Sequence, residues 1–243
     1  MSAPGARAIL IAYEDQYFEQ FHLLVKALRR DRGLPGLCLE GRTVHGTGGF
    51  AKEIPRYLRM PLKQTKQPPD LVVCLGDADR ATNLTPDASP APAQDDAVAL
   101  ERWVREIEHK WHTHLVRKGP LDEQAATRLR TVCLRWNKES LFLANPDALL
   151  EHAEQHERRP QIETLLDTCK PRPSALDDAK FLLAYRKPGH CMDLVFRAIE
   201  GRSYKKGRDD EDLLRLHIKP HETRRALTLR RCPDLERLLH ALQ

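Results

Sequence analysis

Apolar residues in the N-terminal half of the chain form short unbroken runs that stop abruptly at acidic residues or at glycine. The run at 7–13 is followed by Glu14, and the run at 71–75 is followed by Gly76 and Asp77. Continuous apolar runs of this length, bounded by polar or turn residues, are typical of buried strands. With two weaker runs, the predicted strands are 7–13, 37–39, 71–75 and 131–136.

Between these runs, apolar positions recur at helical spacing. In the segment 18–30, for example, Phe21 and Leu28 are seven positions apart and would share one helix face. Helices are also predicted at 50–59 and 96–117. Strands that alternate with helices in this way predict an α/β fold, with a parallel sheet flanked by helices.

The second half of the chain has a mainly helical periodicity. We therefore expect residues 1–150 to form the α/β core and residues 151–243 to form a helical C-terminal part packed on that core. Within the core, the Pro- and Ala-rich stretch at about 84–96 has no periodicity and is interpreted as a mobile loop. The predicted C-terminal helices are 139–143, 147–157, 161–168, 174–186, 190–200, 209–216 and 233–242.

Composition excludes several classes of protein. With 243 residues, 41% of them hydrophobic, the chain can bury a sizeable core and is not wholly disordered. No apolar run approaches the roughly 18 residues that a transmembrane helix needs, so we expect no membrane partner. The six cysteines include no CxxC pair, which argues against a zinc ribbon or disulfide scaffold and for a reducing, cytoplasmic location. The histidine pairs His112/His114 and His217/His221 are interpreted as surface residues.

Positive charge is concentrated near the C-terminus. The chain carries a net charge of +5, and residues 201–231 alone contain ten Lys and Arg against five Asp and Glu. A basic segment is suited to the phosphate backbone of nucleic acid, although a solvated surface would have the same composition. The candidate bases lie on a Gly-flanked loop and are Arg202, Lys205, Lys206 and Arg208.

Carboxylates follow two of the predicted strands at the point where each strand ends. Glu14 follows the first run, and Asp77 and Asp79 follow the run at 71–75. Because ligands gather at the carboxyl ends of parallel strands, we expect these carboxylates to converge. Mg²⁺ or Mn²⁺ prefers such oxygen ligands and would offset the repulsion between the acids. From spacing alone, the alternative is that Asp79 caps a helix and Glu14 is solvated.

The order of these motifs resembles the Toprim superfamily. In Toprim domains one strand ends in Glu and a later strand ends in Asp-x-Asp followed by Arg; the matching segments here are Ile9–Glu14 and Leu71–Arg80. The chain departs from the pattern at Asp15, where Gly is usual, and at Asn145, where small Toprim-like relatives have an acid. Those relatives are stand-alone bacterial proteins related to the overcoming-lysogenisation-defect nucleases, and their further motifs resemble segments Glu139–Leu149, Lys170–Lys180, Tyr185–His190 and Cys232–Leu242.

The resemblance implies metal-assisted hydrolysis of phosphodiester bonds in DNA or RNA. A chain of 243 residues has no room for the additional domains of topoisomerases or primases, which leaves a nuclease. Asp77 and Asp79 would hold Mg²⁺ or Mn²⁺, and Glu14 would act as a metal ligand or general base. Glu139 would be an auxiliary ligand or would orient the other groups. The expected biological role is that of an effector in antiviral defence.

The same resemblance assigns phosphate contacts to basic residues. Arg80 and Lys138 lie beside the acidic residues and would meet phosphate oxygens, while plain surface roles remain the alternative for both. The four bases of the C-terminal segment would follow the nucleic-acid backbone without reading its sequence.

A second functional class stays open. The chain would then be a non-catalytic Toprim-like binding or regulatory subunit that works with an ATPase partner, because related nucleases are often fused to or paired with ATPases. Metal binding distinguishes the two classes, since a nuclease needs a cation at Asp77 and Asp79 and an adaptor does not.

Overall fold

A computed structural model describes most of the chain, namely residues 7–12, 20–44, 46, 48–82, 89, 91–92, 97–134, 139–168, 188–218 and 222–243. The described residues contain one four-stranded sheet in the order β2-β1-β3-β4. All neighbouring strands pair in parallel. The α/β prediction is therefore confirmed. The strands are β1 (Arg7–Ala12), β2 (Cys38–Arg42), β3 (Leu71–Asp77) and β4 (Leu129–Leu134).

Helices connect and flank the strands. They are α1 (Phe21–Asp31), α2 (Gly49–Tyr57), α3 (Ala78–Ala81), α4 (Ala97–Lys118), α5 (Glu123–Thr127), α6 (Glu139–Ala144), α7 (Asp147–Gln155), α8 (Arg159–Thr168), α9 (Pro188–Glu200), α10 (Arg208–Ile218), α11 (Glu222–Arg231) and α12 (Pro233–Ala241). The helices α3, α5 and α11 were not predicted from the sequence, and the predicted helix 174–186 lies outside the described residues.

Strand pairing sets bounds that differ from the apolar runs. The strand β4 begins at Leu129, which pairs with Val72, and ends at Leu134, which pairs with Asp77. The predicted strand 131–136 therefore began two residues too late, and its last two positions lie outside the described residues. The strand β2 continues to Arg42, beyond the predicted 37–39.

Side chains alternate between the two faces of the sheet, as the two-residue period of a strand requires. On one face, Val73 and Leu75 of β3 belong to a large core cluster that also contains buried residues of α1, α6 and the C-terminal helices. On the other face, Val72 and Cys74 pack with α2 and α4. The C-terminal helices thus complete the core on one side of the sheet.

Gly76 allows an aromatic side chain to approach β3 closely. A Cβ atom at this position would lie only 2.8 Å from Cη2 of Trp111 on α4. The indole of Trp111 is buried and meets the Phe50 ring edge-on, with centroids 5.2 Å apart. The glycine before Asp77 therefore serves packing against α4.

The outer edge of β4 is covered by an ion-paired side-chain cluster. Glu108 on α4 accepts from Cys133 N at 2.8 Å, and Arg237 on α12 donates to Cys133 O at 2.6 Å. Arg237 also meets Glu101 at 3.0 Å and Asp234 at 2.9 Å. Because these side chains satisfy backbone groups that an edge strand leaves unpaired, they protect β4 from pairing with another strand.

The transition between the predicted halves of the chain is continuous. The predicted boundary at residue 150 falls inside α7, whose Leu149 and Ala153 are buried in the same core cluster as α1. Of the predicted loop 84–96, only residues 89, 91 and 92 are described, and Trp103 Nε1 donates to Ser89 O at 2.8 Å. Among the described residues, no helix has the length and apolarity needed to cross a membrane.

Candidate functional site

The carboxyl edge of the sheet is where the sequence places its acidic residues. In the register of the sheet, Ala12 at the end of β1 pairs with Leu75 of β3. Asp77 is the last residue of β3, opposite Leu134 at the end of β4. The ends of β1, β3 and β4 therefore lie side by side at the edge where parallel sheets commonly bind ligands.

Asp77 is nearly buried, with 4% of its surface exposed. It lies close enough to Cys133 on the neighbouring strand to influence that thiol electrostatically. Burial raises the pKa of Cys133 well above its ordinary value, and the charges of Glu108 and Asp77 add to the rise. Asp77 is thus an acidic group in a poorly hydrated position on a central strand.

The other predicted residues at this edge are described only in part. Asp79 and Arg80 lie in the short helix α3, and the structure describes their backbone only. Glu14 and Lys138 lie outside the described residues. The convergence of Glu14 with Asp77 and Asp79 therefore stays a prediction.

Glu139 is the first residue of α6 and is fully buried. Lys206 Nζ, from the predicted basic segment, lies 2.7 Å from Glu139 Oε1. Within the described residues, no donor meets either Glu139 oxygen with ordinary hydrogen-bond geometry. Since burial of a carboxylate is costly without a positive partner, the Lys206 ammonium stabilises the charge of Glu139.

The basic segment follows α9 and is shaped by two buried acids at the start of α10. Asp209 accepts two hydrogen bonds from Arg202, both at 2.8 Å, and one from Lys205 N at 2.7 Å. Asp210 accepts from Gly207 N at 2.7 Å. Gly207 has a φ of 93°, a left-handed conformation that a side chain would strain.

The four candidate bases of this segment have different surroundings. Arg202 is held by Asp209 and by Glu200, to which its Nε donates at 2.7 Å. Lys205 and Arg208 are exposed, and the Lys206 side chain is 52% exposed while its ammonium contacts Glu139. Lys205, Lys206 and Arg208 are therefore accessible to a ligand, whereas Arg202 mainly holds the segment in shape.

The charges around this segment shift the ionisation of its members. Burial by itself raises the pKa of Asp209, but hydrogen bonds from Arg202 and Lys205 N hold it below its ordinary value. Burial also raises the pKa of Tyr204, and the neighbouring carboxylates Asp210 and Glu139 raise it further. Tyr204 therefore remains protonated and donates its hydroxyl hydrogen to Asp210.

A group of residues that the sequence reasoning missed lies at the ends of α7 and α9. His152 Nε2 is 2.8 Å from Glu200 Oε1, and His156 lies beside both. The four-residue spacing of the two histidines was visible in the sequence, but nothing there connects them with Glu200. Another histidine interpretation was wrong: His217 is fully buried beside Phe142.

A concave region lies at the opposite, amino edge of the sheet. It has a volume of about 910 Å³ and is bordered by the first residues of β1 and β3 and by the end of α12. An Arg7–Asp70 ion pair of 2.6 Å lies in its wall. Since the predicted acids follow the other ends of the strands, this cleft is separate from the carboxyl edge.

Comparison with known proteins adds no relative. No protein-family model matches the chain, and no curated protein or solved structure does so either. The resemblance to Toprim domains therefore stays a prediction that is based on the motifs.

Proposed function

We propose that this chain is a metal-dependent nuclease of Toprim type that hydrolyses phosphodiester bonds at the carboxyl edge of its sheet. The observation that carries the proposal is the position of Asp77 at the end of the central strand β3, with β1 as its parallel neighbour. The strand β1 ends two residues before Glu14 in the sequence. Neighbouring parallel strands direct their following residues to the same edge.

The residues at this edge fit a hard divalent cation. Asp77 and Asp79 would hold Mg²⁺ or Mn²⁺, which prefer carboxylate oxygens and keep several water ligands. A bound cation would lower the pKa of an attacking water, and its positive charge would stabilise the negative charge that develops on the phosphoryl oxygens. Glu14 would take the proton of the attacking water or complete the ligand set.

The basic segment would supply the electrostatic attraction for the substrate. Lys205 and Arg208 are exposed, and Lys206 connects the segment with Glu139 after β4. Phosphates next to the scissile one would contact these lysine and arginine side chains. Such contacts do not read the nucleobases. Arg80 and Lys138 are the further candidates for phosphate oxygens, and Arg202 would orient the segment through Asp209.

The experiment is cleavage of plasmid DNA, linear DNA and total RNA with Mg²⁺ or Mn²⁺ and with EDTA. The Asp77→Asn and Asp79→Asn variants should each reduce cleavage at least about 100-fold, because each would remove a metal ligand. The matched control is Asp167→Asn on α8, which makes the same chemical change at an exposed position. The control variant should cleave like the unaltered protein.

An inactive protein would contradict the nuclease proposal. If the folded chain cleaves none of these substrates with either cation, the non-catalytic binding or regulatory subunit that works with an ATPase partner becomes the better account. Cleavage that survives both Asp variants would contradict the placement of the metal.

We further propose a cytoplasmic location and a role in antiviral defence. The location is supported by the free thiols of the five described cysteines.

A further inference from the structure

Three potential metal ligands meet where two helices end. His152 lies in the last turn of α7, His156 directly follows that helix, and Glu200 is the last residue of α9. One ligand atom from each residue lies within 4.8 Å of the other two. None of these residues belongs to the proposed nuclease site.

Local structure explains why these side chains converge. Residues four positions apart lie on the same face of a helix, so His152 and His156 are neighbours, with ring centroids 5.0 Å apart. His152 also packs on the Phe196 ring of α9, one turn before Glu200, with centroids 5.5 Å apart. Helix packing therefore positions His152 and Glu200, while the exposed His156 is able to adjust.

The electrostatic environment favours a cation at this point. The carboxyl ends of helices carry partial negative charge, and both α7 and α9 end here. Glu200 places a full negative charge at a helix end where a negative charge is otherwise unfavourable. A bound cation would turn this unfavourable position into a favourable one.

Neighbouring residues hold the Glu200 carboxylate in an orientation suited to a metal. Arg202 Nε donates to Glu200 Oε2 at 2.7 Å, which leaves Oε1 directed at His152. The positive charge of Arg202 is balanced by the buried Asp209, which accepts two hydrogen bonds of 2.8 Å. Hydrogen bonds from such outer residues commonly orient metal ligands and tune their basicity.

We propose that His152, His156 and Glu200 bind a transition-metal dication, with Zn²⁺ as the best fit. Two imidazoles and one carboxylate suit Zn²⁺ better than Mg²⁺, which prefers oxygen ligands. With metal–ligand distances of about 2.0–2.1 Å, tetrahedral ligand atoms lie about 3.4 Å apart. His152 and Glu200 need to separate slightly from 2.8 Å, and His156 needs to rotate inward.

The site would leave a fourth coordination position for water or another ligand, because the protein supplies three donors. A metal here would also fasten the end of α9 to α7. The segment whose Lys206 contacts Glu139 begins at Gly201, directly after α9. A metal that fixes the end of α9 would therefore make the start of this segment more rigid.

The test is Zn²⁺ binding by the full chain, measured by equilibrium dialysis against a competing chelator, with Co²⁺ absorption as a second measurement. The chain should bind one Zn²⁺ ion at this site. Co²⁺ bound at the same site should give the intense visible bands of a tetrahedral centre. His156→Ala should weaken that binding about ten-fold or more, since loss of even an outer-shell partner costs about this much. The matched control is His240→Ala, which removes another exposed histidine from the last turn of a helix and should leave Zn²⁺ affinity unchanged.

Two further measurements make the result decisive. Glu200→Gln should weaken Zn²⁺ binding and abolish the tetrahedral Co²⁺ spectrum, and circular dichroism will show whether each variant is folded. Zn²⁺ affinity that is the same for unaltered protein and folded His156→Ala overturns the proposal, as does absence of Zn²⁺ binding. In either case His152 and Glu200 would form only a helix–helix hydrogen bond. Neither result depends on nuclease activity.

Discussion

Lys206 reaches from an exposed connection to the buried Glu139, and its ammonium lies 2.7 Å from Glu139 Oε1. The lysine side chain is 52% exposed, whereas the glutamate side chain is inaccessible to solvent. A cation that approaches from the surface thus compensates a charge in the interior. The contact also joins the basic segment to the residue that begins α6.

Removal of this cation should destabilise the protein. We expect Lys206→Met to lower the free energy of unfolding by about 1–3 kcal/mol, because Glu139 would be left buried without its positive partner. Urea unfolding of Lys206→Met, Glu139→Gln and the double variant will measure the coupling, which should be about 1 kcal/mol or more. Lys205→Met is the control and should change stability by less than about 0.5 kcal/mol. Additive single effects would show that the two side chains do not interact.

Arg237 should be among the most important charged residues for stability. Its replacement by leucine would leave Glu101, Glu108 and Asp234 without their common partner, and breaking such a pair costs about 3–5 kcal/mol. Arg105→Leu is the matched control, because Arg105 is exposed and forms a surface pair with Glu101. Equal urea midpoints for the two variants would contradict this account of the β4 edge.

The stability lost in the Arg237→Leu variant should depend on pH. Burial raises the pKa of Glu108 above its ordinary value of 4.5, and Arg237 counteracts that rise. A carboxyl whose pKa is raised by folding favours the folded state when it is protonated, and this contribution is lost as the pH rises through the folded-state pKa. Without Arg237 the pKa should rise further. The stability deficit of Arg237→Leu should therefore be smaller near pH 4.5 than at pH 7, and a pH-independent deficit would argue against Glu108 as its source.

Asp209 should contribute stability with the opposite pH dependence. Its pKa in the folded protein is held below the ordinary value of 3.8, despite the opposing effect of burial, by hydrogen bonds from Arg202 and Lys205 N. The contribution is fully present above the unfolded-state pKa and is lost as the pH falls through the folded-state pKa. We expect Arg202→Met to flatten the fall in unfolding free energy between about pH 5 and pH 3. Arg215→Met, which removes an exposed guanidinium paired with Glu211 on α10, should retain the slope of the unaltered protein.

Nucleic-acid binding should depend on the exposed bases of the same segment. Lys205→Glu combined with Arg208→Glu leaves the Lys206–Glu139 contact in place and should weaken duplex binding similarly for all sequences. The plot of log affinity against log salt should flatten by roughly 0.9 for each phosphate that the double variant no longer neutralises. The control is Lys63→Glu combined with Lys66→Glu. These two lysines are exposed and lie far from the basic segment in the sequence, and their replacement gives the same change in net charge. Equal effects of both double variants would indicate a general charge effect and no binding segment.

The fold was largely predictable because its main signal is local. The apolar runs at 7–13 and 71–75 contain the cores of β1 and β3, and strand–helix alternation indicates parallel pairing. The bounds of β4 were not predictable in the same way. Its first residue pairs with Val72 and its last with Asp77, so its limits depend on a strand more than 50 positions earlier.

The sequence by itself also placed Asp77 at the carboxyl end of a strand, because Asp77 comes two residues after an apolar run, and it is the last residue of β3. Only the tertiary structure decided which distant groups meet. Asp209 and Asp210 belong to a basic segment by composition, yet both are buried and shape the backbone on which Lys206 reaches Glu139. His152 and Glu200 lie 48 positions apart and meet where side chains of α7 and α9 come into contact. The pattern of residues along the chain indicates on which face of a helix or strand a side chain lies. The charged partner of that side chain depends instead on which faces pack together in the folded protein.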